Sequence, residues 1–475
     1  MTIDADAELG GAPVNIEWRQ RLDVQANRSQ FKVSGVVDSS TGDVFGIPTR
    51  QFLRGPVAFS ADALGDLGAL SALSLSADFS RAALNIDPIA WTKPEGAPAS
   101  GEVDIVFGAD GVDVRKIALT GEGVDLAGSA QFDPAGLVKA AAFDKVKFDG
   151  GADMTVTLTR SLLGSVDVAL TGAYLNAGPT VQSFVEAGDA QGGSQKKTQP
   201  AVSMRARIDA LELRGGAQFR DVAFDFARTP EAVQALSLSA RTDRGSPLSV
   251  VLKETGAEKG PRQSVEARTD DIGQLLAALF GVASIQKGEG SMELFLDAGE
   301  TGGLTGAFAA RNMRVVGAPL LARIFAAGSL NGLVGLLNGD GIELSQAVAD
   351  FEFRDGVLTL RDARASGPSV GITAAGVIAA GQSGAVDLRG AVAPAYQVNS
   401  FLGNAPLIGD IFVNREGEGV VALAYDVHGT SDAPLVSVNP LSALTPGFLR
   451  RIFEGERTAP SGDPPPQNGP VQPEP

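Results

Sequence analysis

Apolar and polar residues alternate along most of this chain. The alternation is clearest in three stretches, whose apolar positions are Met154, Val156 and Leu158; Val222, Phe224 and Phe226; and Val421, Leu423 and Tyr425. Because successive side chains of a strand point to opposite faces, this pattern predicts half-buried β-strands with one apolar and one polar face.

Short turn signals separate the alternating stretches. Asp149-Gly150-Gly151 is one, and Asp355-Gly356 lies in the middle of residues 351–363, the clearest hairpin pattern in the chain. An Asp-Gly pair between two alternating stretches is a strong hairpin signal. The sequence therefore predicts a mostly β fold: a long, curled antiparallel β-meander that forms an open hydrophobic groove, with a few short amphipathic helices near its carboxyl end.

Helical spacing of apolar residues is confined to the second half of the chain. It predicts helices over residues 271–284, 319–337, 397–402 and 446–454. The first two admit two interpretations, since they could plug or line one end of the groove or lie on a membrane surface.

The predicted organisation has five parts. Residues 1–186 and 201–270 are groove segments, and residues 187–200 between them are a polar linker rich in Gly and Gln. Residues 271–458 form a mixed terminal region with the short helices. Residues 459–475 are a Pro-rich tail that cannot contribute to a core.

Composition makes the apolar face the central question. The 475 residues have a mean hydropathy of +0.09 and only 20% charged residues, yet they contain no uninterrupted apolar span. The surplus apolar surface either lines an open groove or packs against itself in a closed β-sandwich or β-solenoid. Periodicity alone leaves both possibilities open.

Charge and candidate chemistry exclude several classes of function. The net charge of −17 with scattered basic residues argues against nucleic-acid binding, and the absence of cysteine excludes thiolate metal sites and disulfides. The motif Gly367-Pro-Ser369-Val-Gly371 matches a hydrolase nucleophile elbow, but strand-like residues follow it instead of a helix. The single histidine, His428, cannot form a typical zinc site alone, and Asp4, Asp6 and Glu8 lack the rest of a calcium loop. We predict no catalytic residue, no metal and no cofactor.

A series of short blocks in residues 270–453 resembles the carboxyl-terminal region of the AsmA-like superfamily, YhdP branch. The blocks include residues 271–276, 317–322, 327–333, 394–400, 406–409, 425–430 and 437–450 in that order. The positions that match the family pattern and for which we expect a structural role are Asn399, Gly409, Gly429, Asn439, Pro440, Pro446, Gly447 and Arg450. The first 270 residues resemble the family only in their strand-rich texture.

The resemblance implies a bridge-like lipid transfer protein, whose groove carries phospholipid between the inner and outer membranes of a Gram-negative bacterium. It implies a periplasmic location in association with the inner membrane. Family members usually begin with a transmembrane helix, which this sequence does not contain, so the resemblance places an anchor outside this chain. The alternative is a non-enzymatic scaffold or assembly factor that affects outer-membrane protein insertion and envelope integrity. A protein partner is an open possibility, whereas no nucleic acid is expected.

Overall fold

The fold is built almost entirely from β-strands. The computed structural model describes residues 1–21, 29–41, 49–66, 68–187, 200–257, 260–296, 304–354, 356–379, 384–394, 422–430 and 433–439. Within them, 25 strands belong to one long, open, predominantly antiparallel sheet, and a separate small sheet has three strands. The predicted fold class, mostly β with a long open sheet and a few short helices, is confirmed.

The strands of the large sheet average about ten residues. They are β1 (Thr2–Leu9), β2 (Ala12–Gln20), β3 (Ser29–Val37), β5 (Val57–Asp66), β6 (Ala69–Asp78), β9 (Ala99–Gly108), β10 (Gly111–Gly121), β11 (Val124–Phe132), β12 (Val138–Phe148), β13 (Ala152–Arg160), β14 (Val166–Asn176), β15 (Val202–Glu212), β16 (Gln218–Arg228), β17 (Val233–Thr242), β18 (Pro247–Ala257), β19 (Gly260–Thr269), β20 (Ile285–Gln286), β21 (Glu289–Leu296), β22 (Leu304–Val315), β23 (Ile342–Arg354), β24 (Val357–Ser366), β25 (Val370–Ala379), β26 (Ala385–Pro394), β27 (Leu423–Thr430) and β28 (Pro434–Asn439).

The remaining elements are short. The small sheet consists of β4 (Leu53–Arg54), β7 (Ala83–Ile86) and β8 (Trp91–Lys93), and the α-helices are α1 (Gly178–Ala187), α2 (Ile272–Phe280), α3 (Pro319–Ala327) and α4 (Asn331–Asn338). Single 3₁₀ turns lie at Thr49–Gln51, Asp87–Ile89 and Arg214–Gly216. None of the helices in the described ranges is long and apolar enough to cross a membrane.

The described residues group into two compact units. Unit 1 contains β1–β17, and unit 2 contains β19–β28 together with α3 and α4. The predicted segment boundaries at 186, 200 and 270 stay predictions.

Most neighbouring strands are joined by hairpins, as the turn signals predict. In the predicted 351–363 hairpin, Arg354 pairs with Val357, and Gly356 has a φ of 72°, a left-handed conformation that glycine adopts without a steric penalty. One pair departs from the antiparallel rule, because β14 and β15 run parallel with Val166 opposite Val202. Parallel neighbours need a long connection that returns the chain to the starting end, and the segment containing α1 provides it.

The helices differ from their predictions in detail. The helix predicted over 271–284 ends at Phe280, and the one predicted over 319–337 is divided into α3 and α4, where Ser329 has a φ of 58°. Helix α1 was not predicted, and it covers the end of the predicted groove segment 1–186 and the first residue of the predicted linker. The helices predicted at 397–402 and 446–454 lie outside the described residues, as do residues 188–199 of the linker and the tail.

The small sheet of unit 1 contributes a closed hydrophobic cluster. Trp91 of β8 packs edge-on against Phe148 with ring centroids 5.0 Å apart, next to the buried Val124 and Ala152. The buried Lys93 ammonium anchors this region by donating hydrogen bonds to the carbonyl oxygens of Ala82, Pro94 and Ala97 at 2.7–3.0 Å. Burial lowers the pKa of Lys93, because desolvation disfavours its charged form.

Candidate functional site

The candidate site in unit 1 is one face of its sheet. Strand registers align the apolar side chains of successive strands into continuous rows that run across the strands. Row 1 takes one residue from each of β1–β3, β5, β6 and β9–β17. Its members are Ala5, Ile16, Val33, Ala61, Leu75, Val103, Ile117, Gly128, Phe143, Val156, Leu170, Ala206, Phe224 and Leu238.

Two further rows flank row 1 on the same face. Row 2 contains Ile3, Trp18, Phe31, Ala63, Leu73, Ile105, Val114, Ala130, Ala141, Leu158, Val168, Met204, Phe226 and Leu236. Row 3 contains Ala7, Val14, Gly35, Phe59, Ala77, Gly101, Leu119, Leu126, Val146, Met154, Gly172, Ile208 and Val222. No polar or charged side chain interrupts any of the three rows.

The large side chains of row 1 are only half-buried. Solvent contact remains at the large members of the row, among them Val33, Leu75, Phe143 and Leu170. The buried members of row 1 are two alanines, Ala61 and Ala206. A second protein layer packed on this face would bury the larger side chains completely, as in a β-sandwich core. Among the residues that the structure describes, no second layer therefore covers row 1 in unit 1.

Row 3 is covered over part of its length. Leu119, Leu126, Val146 and Met154 pack against the cluster around Trp91. The small sheet therefore overlies one margin of the apolar face and leaves rows 1 and 2 more accessible.

The opposite face of unit 1 is polar and solvated. Lys116 pairs with Glu102 and Lys145 pairs with Asp125 across neighbouring strands. These side chains are about half exposed, so such pairs contribute little to stability. Their position shows which face meets water.

Unit 2 has a similar apolar face on nine strands, β19 and β21–β28, with two rows that cover all nine and a third that covers eight and begins at Thr269. Row 4 contains Val265, Leu294, Gly306, Phe351, Leu360, Gly376, Leu388, Val427 and Val436. Row 5 contains Ala267, Met292, Phe308, Ala349, Ala363, Ala374, Gly390, Tyr425 and Val438. Row 6 contains Thr269, Gly290, Ala310, Ala347, Ala365, Ile372, Val392 and Leu423.

The α3–α4 pair covers part of the apolar face of unit 2. Gly328, directly after α3, approaches the Leu423 side chain so closely that a Cβ there would lie 2.8 Å from it. Arg323 of α3 donates a hydrogen bond from Nη1 to the carbonyl oxygen of Pro434 in β28 at 2.8 Å. Leu423 is buried next to Gly328, and Val427 in the same strand is also buried, whereas Phe351 and Leu360 stay half-buried.

The structure brings the predicted apolar residues together on these faces. Met154 and Val222 lie in row 3, Val156 and Phe224 in row 1, and Leu158 and Phe226 in row 2; Leu423 and Tyr425 lie in rows 6 and 5. Val421 lies outside the described residues. That these positions line a lipid-filled groove stays a prediction.

Two residues of the family-like pattern are described. Gly429 lies in β27 with a φ of 110°, which favours glycine, and Asn439 is the last residue of β28. Asn399, Gly409, Pro440, Pro446, Gly447 and Arg450 lie outside the described residues.

The sequence pattern did not single out several members of the rows. Trp18 and Phe31 stack in row 2 with ring centroids 6.2 Å apart. Phe31 alternates with Lys32 as Phe224 alternates with Asp225, so the alternation of the sequence also indicates Phe31 as a residue of the apolar face. The half-buried state of a row, by contrast, depends on what packs over it.

The serine motif at 367–371 and His428, the candidates for catalysis or metal binding, lie at separate positions. Gly367 donates its backbone N–H to the Val370 carbonyl at 2.9 Å in the turn between β24 and β25, so the serine motif joins two strands. His428 lies on the polar face of β27 with Nδ1 3.4 Å from Asp387. In the described part of the chain, no three Asp, Glu, His or Cys side chains cluster as metal ligands would.

Comparison with known proteins does not assign this chain to a family: no family model, curated protein or solved structure matches it. The class that the fold itself defines is an open, predominantly antiparallel β-sheet protein with a continuous apolar face in each unit.

Proposed function

We propose that this protein is a cell-envelope protein that holds phospholipid acyl chains and conducts them along its apolar faces between the inner and outer membranes. The observation that carries the proposal is row 1, in which apolar residues from fourteen successive strands are aligned and their large side chains remain half-buried. The resemblance of residues 270–453 to AsmA-like proteins supports the same function and a periplasmic location.

The physical basis is the match between a row and a hydrocarbon chain. Neighbouring strands are ~4.8 Å apart, so a row of fourteen residues presents apolar contacts over a path of about 60 Å. Full burial of a methylene contributes ~0.8 kcal/mol, and even one-sided contact with several methylenes gives useful affinity. Because the contacts repeat at every strand, a chain that moves along the row exchanges one contact for a similar one.

Lipid content is the first test. Protein extracted under mild conditions from a Gram-negative host is expected to carry several phospholipids per molecule, measured by mass spectrometry and phosphate analysis. Lipid-free protein that still restores envelope integrity in a deletion strain would contradict the proposal and favour the assembly-factor alternative.

The second test asks which face holds the lipid. A photo-cross-linking amino acid at Val156, in row 1, is expected to label phospholipid, whereas the same probe at Thr157 is expected to label little. These two residues are neighbours in β13 with side chains on opposite faces, so they share expression, strand and local stability. Equal labelling at both positions would refute binding by the apolar face.

A further inference from the structure

A cavity of about 370 Å³ lies within unit 2, between the sheet and the start of α3. Its floor is formed by β22–β25, where Phe308, Leu344, Ala365 and Ile372 contribute apolar side chains. Its roof includes Leu320 in the first turn of α3. The cavity is an open one that lies where the start of α3 approaches the sheet.

The lining is almost free of polar groups. Ser284 is the one residue with a polar side chain among those that line the cavity, and the others are aliphatic, aromatic, Met or Pro. Water against this lining finds few polar partners, so displacing it with an apolar group is favourable. The cavity therefore favours an apolar occupant.

Volume limits the size of that occupant. A cavity of about 150 Å³ lined by Leu, Ile and Phe accepts benzene, which has six carbon atoms. On that scale, 370 Å³ has room for about fifteen carbon atoms. This matches a long segment of one hydrocarbon chain and is much too small for a complete two-chain phospholipid.

The cavity is continuous with the apolar face. Ala347, Ala365 and Ile372 belong to row 6, and Phe308 belongs to row 5. A chain lying along these rows can therefore enter the cavity without crossing a polar side chain.

We propose that this cavity binds the methyl-terminal segment of a single lipid hydrocarbon chain under α3. The inference rests on the proposed function and adds a discrete site to an otherwise repetitive surface. In this site α3 covers the chain end from the side opposite the sheet, so the lipid is held more tightly than on the uncovered rows. The source of the chain is either a phospholipid or a free fatty acid, which share the same hydrocarbon chemistry.

Photolabelling of the full-length protein with chain-end probes tests the site. One probe is a fatty acid with a terminal diazirine, and the other is a phosphatidylethanolamine with the same diazirine at the end of one acyl chain. Each is expected to label peptides from residues 304–327, and the more efficient probe identifies the source.

Two alanines provide the cavity-filling variants, and a neighbouring residue on the other face of the sheet provides the control. Ala347 and Ala365 lie opposite each other and line the cavity. Val348 follows Ala347 in β23, and its side chain lies on the opposite face of the sheet. Ala347→Phe and Ala365→Phe are expected to reduce chain-end labelling about tenfold, which corresponds to about 1.4 kcal/mol of binding free energy. Val348→Phe is expected to leave this labelling within about twofold of the wild type.

Folding of each variant is checked by thermal unfolding. A further variant, Ser284→Trp, places a large side chain in the cavity from a residue outside the strands. Chain-end labelling that persists in all folded cavity-filling variants would overturn the inference. If probes label Val156 peptides of unit 1 but leave the cavity unlabelled, the inference fails while the proposed function stands. If neither face is labelled, the proposed function itself fails.

Discussion

At the residue scale, Glu266 on the polar face of unit 2 combines burial with two cationic partners. Its side chain is 11% exposed, and its carboxylate accepts a hydrogen bond from Arg268 Nη2 at 2.6 Å and pairs with Lys253. Burial acts to raise its pKa, but the hydrogen bonds and charges of Arg268 and Lys253 outweigh burial. The pKa of Glu266 is therefore lowered from its ordinary value in the folded protein.

This lowered pKa predicts a contribution to acid stability. At a pH above the pKa that Glu266 has in the unfolded chain, its carboxylate is charged in the folded and in the unfolded protein, and its full stabilisation is present. As the pH falls through the lower pKa of Glu266 in the folded protein, that stabilisation is lost. Glu266→Gln is therefore expected to reduce stability at neutral pH and to flatten the loss of stability on acidification. Urea unfolding between about pH 3 and pH 7 measures both effects.

Glu343→Gln is the control for removing one carboxylate. Glu343 also pairs with an arginine, Arg314, but its side chain is 65% exposed. An exposed pair contributes little, so this variant should unfold like the wild type at neutral pH. If both variants behaved alike, the partial burial of Glu266 would have no energetic consequence.

Gly390 in row 5 is required by close packing. A Cβ at this position would lie 1.9 Å from the Thr373 carbonyl oxygen and 2.6 Å from the hydroxyl of Tyr425, which itself donates a hydrogen bond to Thr373 O at 2.6 Å. Gly390→Ala is therefore expected to cost about 1–3 kcal/mol of unfolding free energy, measured by urea denaturation.

Gly332 in α4 offers the opposite expectation for the same substitution. A Cβ there meets no atom within 4 Å, and alanine is favoured over glycine in a helix by about 1 kcal/mol. Gly332→Ala should therefore be neutral or stabilising. If both variants destabilised the protein equally, the close contacts at Gly390 would not account for its loss of stability.

At the element scale, the break between α3 and α4 is a helix end of the left-handed type. Ser329 has a φ of 58°, its backbone N–H bonds the Ala326 carbonyl at 3.0 Å, and the Leu330 N–H bonds the Phe325 carbonyl at 2.7 Å. These bonds satisfy carbonyls that the end of α3 leaves without helical partners. The break therefore has its own hydrogen bonding, which explains why continuous apolar spacing over 319–337 did not produce a single helix.

This geometry predicts the effect of substitutions at Ser329. A left-handed conformation costs an L-residue about 1–2 kcal/mol and glycine almost nothing, so Ser329→Gly should stabilise unit 2 by about 0.5–1 kcal/mol. Ser329→Ala retains the penalty and should give no gain. Hydrogen exchange of the α3 and α4 amides, together with urea unfolding, would detect the difference, and equal stabilisation by alanine would refute it.

At the scale of the whole molecule, the half-buried rows predict an unusual property of the native protein. Soluble monomers rarely expose large contiguous apolar patches, and those that do bind apolar ligands or membranes. Delipidated protein is expected to enhance the fluorescence of an apolar dye while it retains native circular dichroism. Added phospholipid should displace the dye, and native protein that leaves the dye fluorescence unchanged would contradict the uncovered face.

Alternation along the chain determined which residues share a face. The side-chain period of a strand is a local property of the backbone, so Met154, Val156 and Leu158 had to lie on the same side of β13 wherever that strand paired. The Asp355-Gly356 pair was an equally local signal in the sequence, and the residues that flank it, Arg354 and Val357, pair in the hairpin of β23 and β24. The mostly β fold class followed from many such local signals.

Only the tertiary structure decided the direction in which β15 pairs with β14 and what covers the apolar faces. The parallel pairing of these two consecutive strands depends on the end of β14 to which the long connection returns the chain. The cover of row 3 by the cluster around Trp91 and the cavity under α3 depend on contacts between segments far apart in sequence. Alternation is the same whether an apolar face is covered by a second layer or left open, because the period of a strand carries no information about its neighbours. The sequence therefore could not predict which rows are buried, and the tertiary structure was needed to establish it.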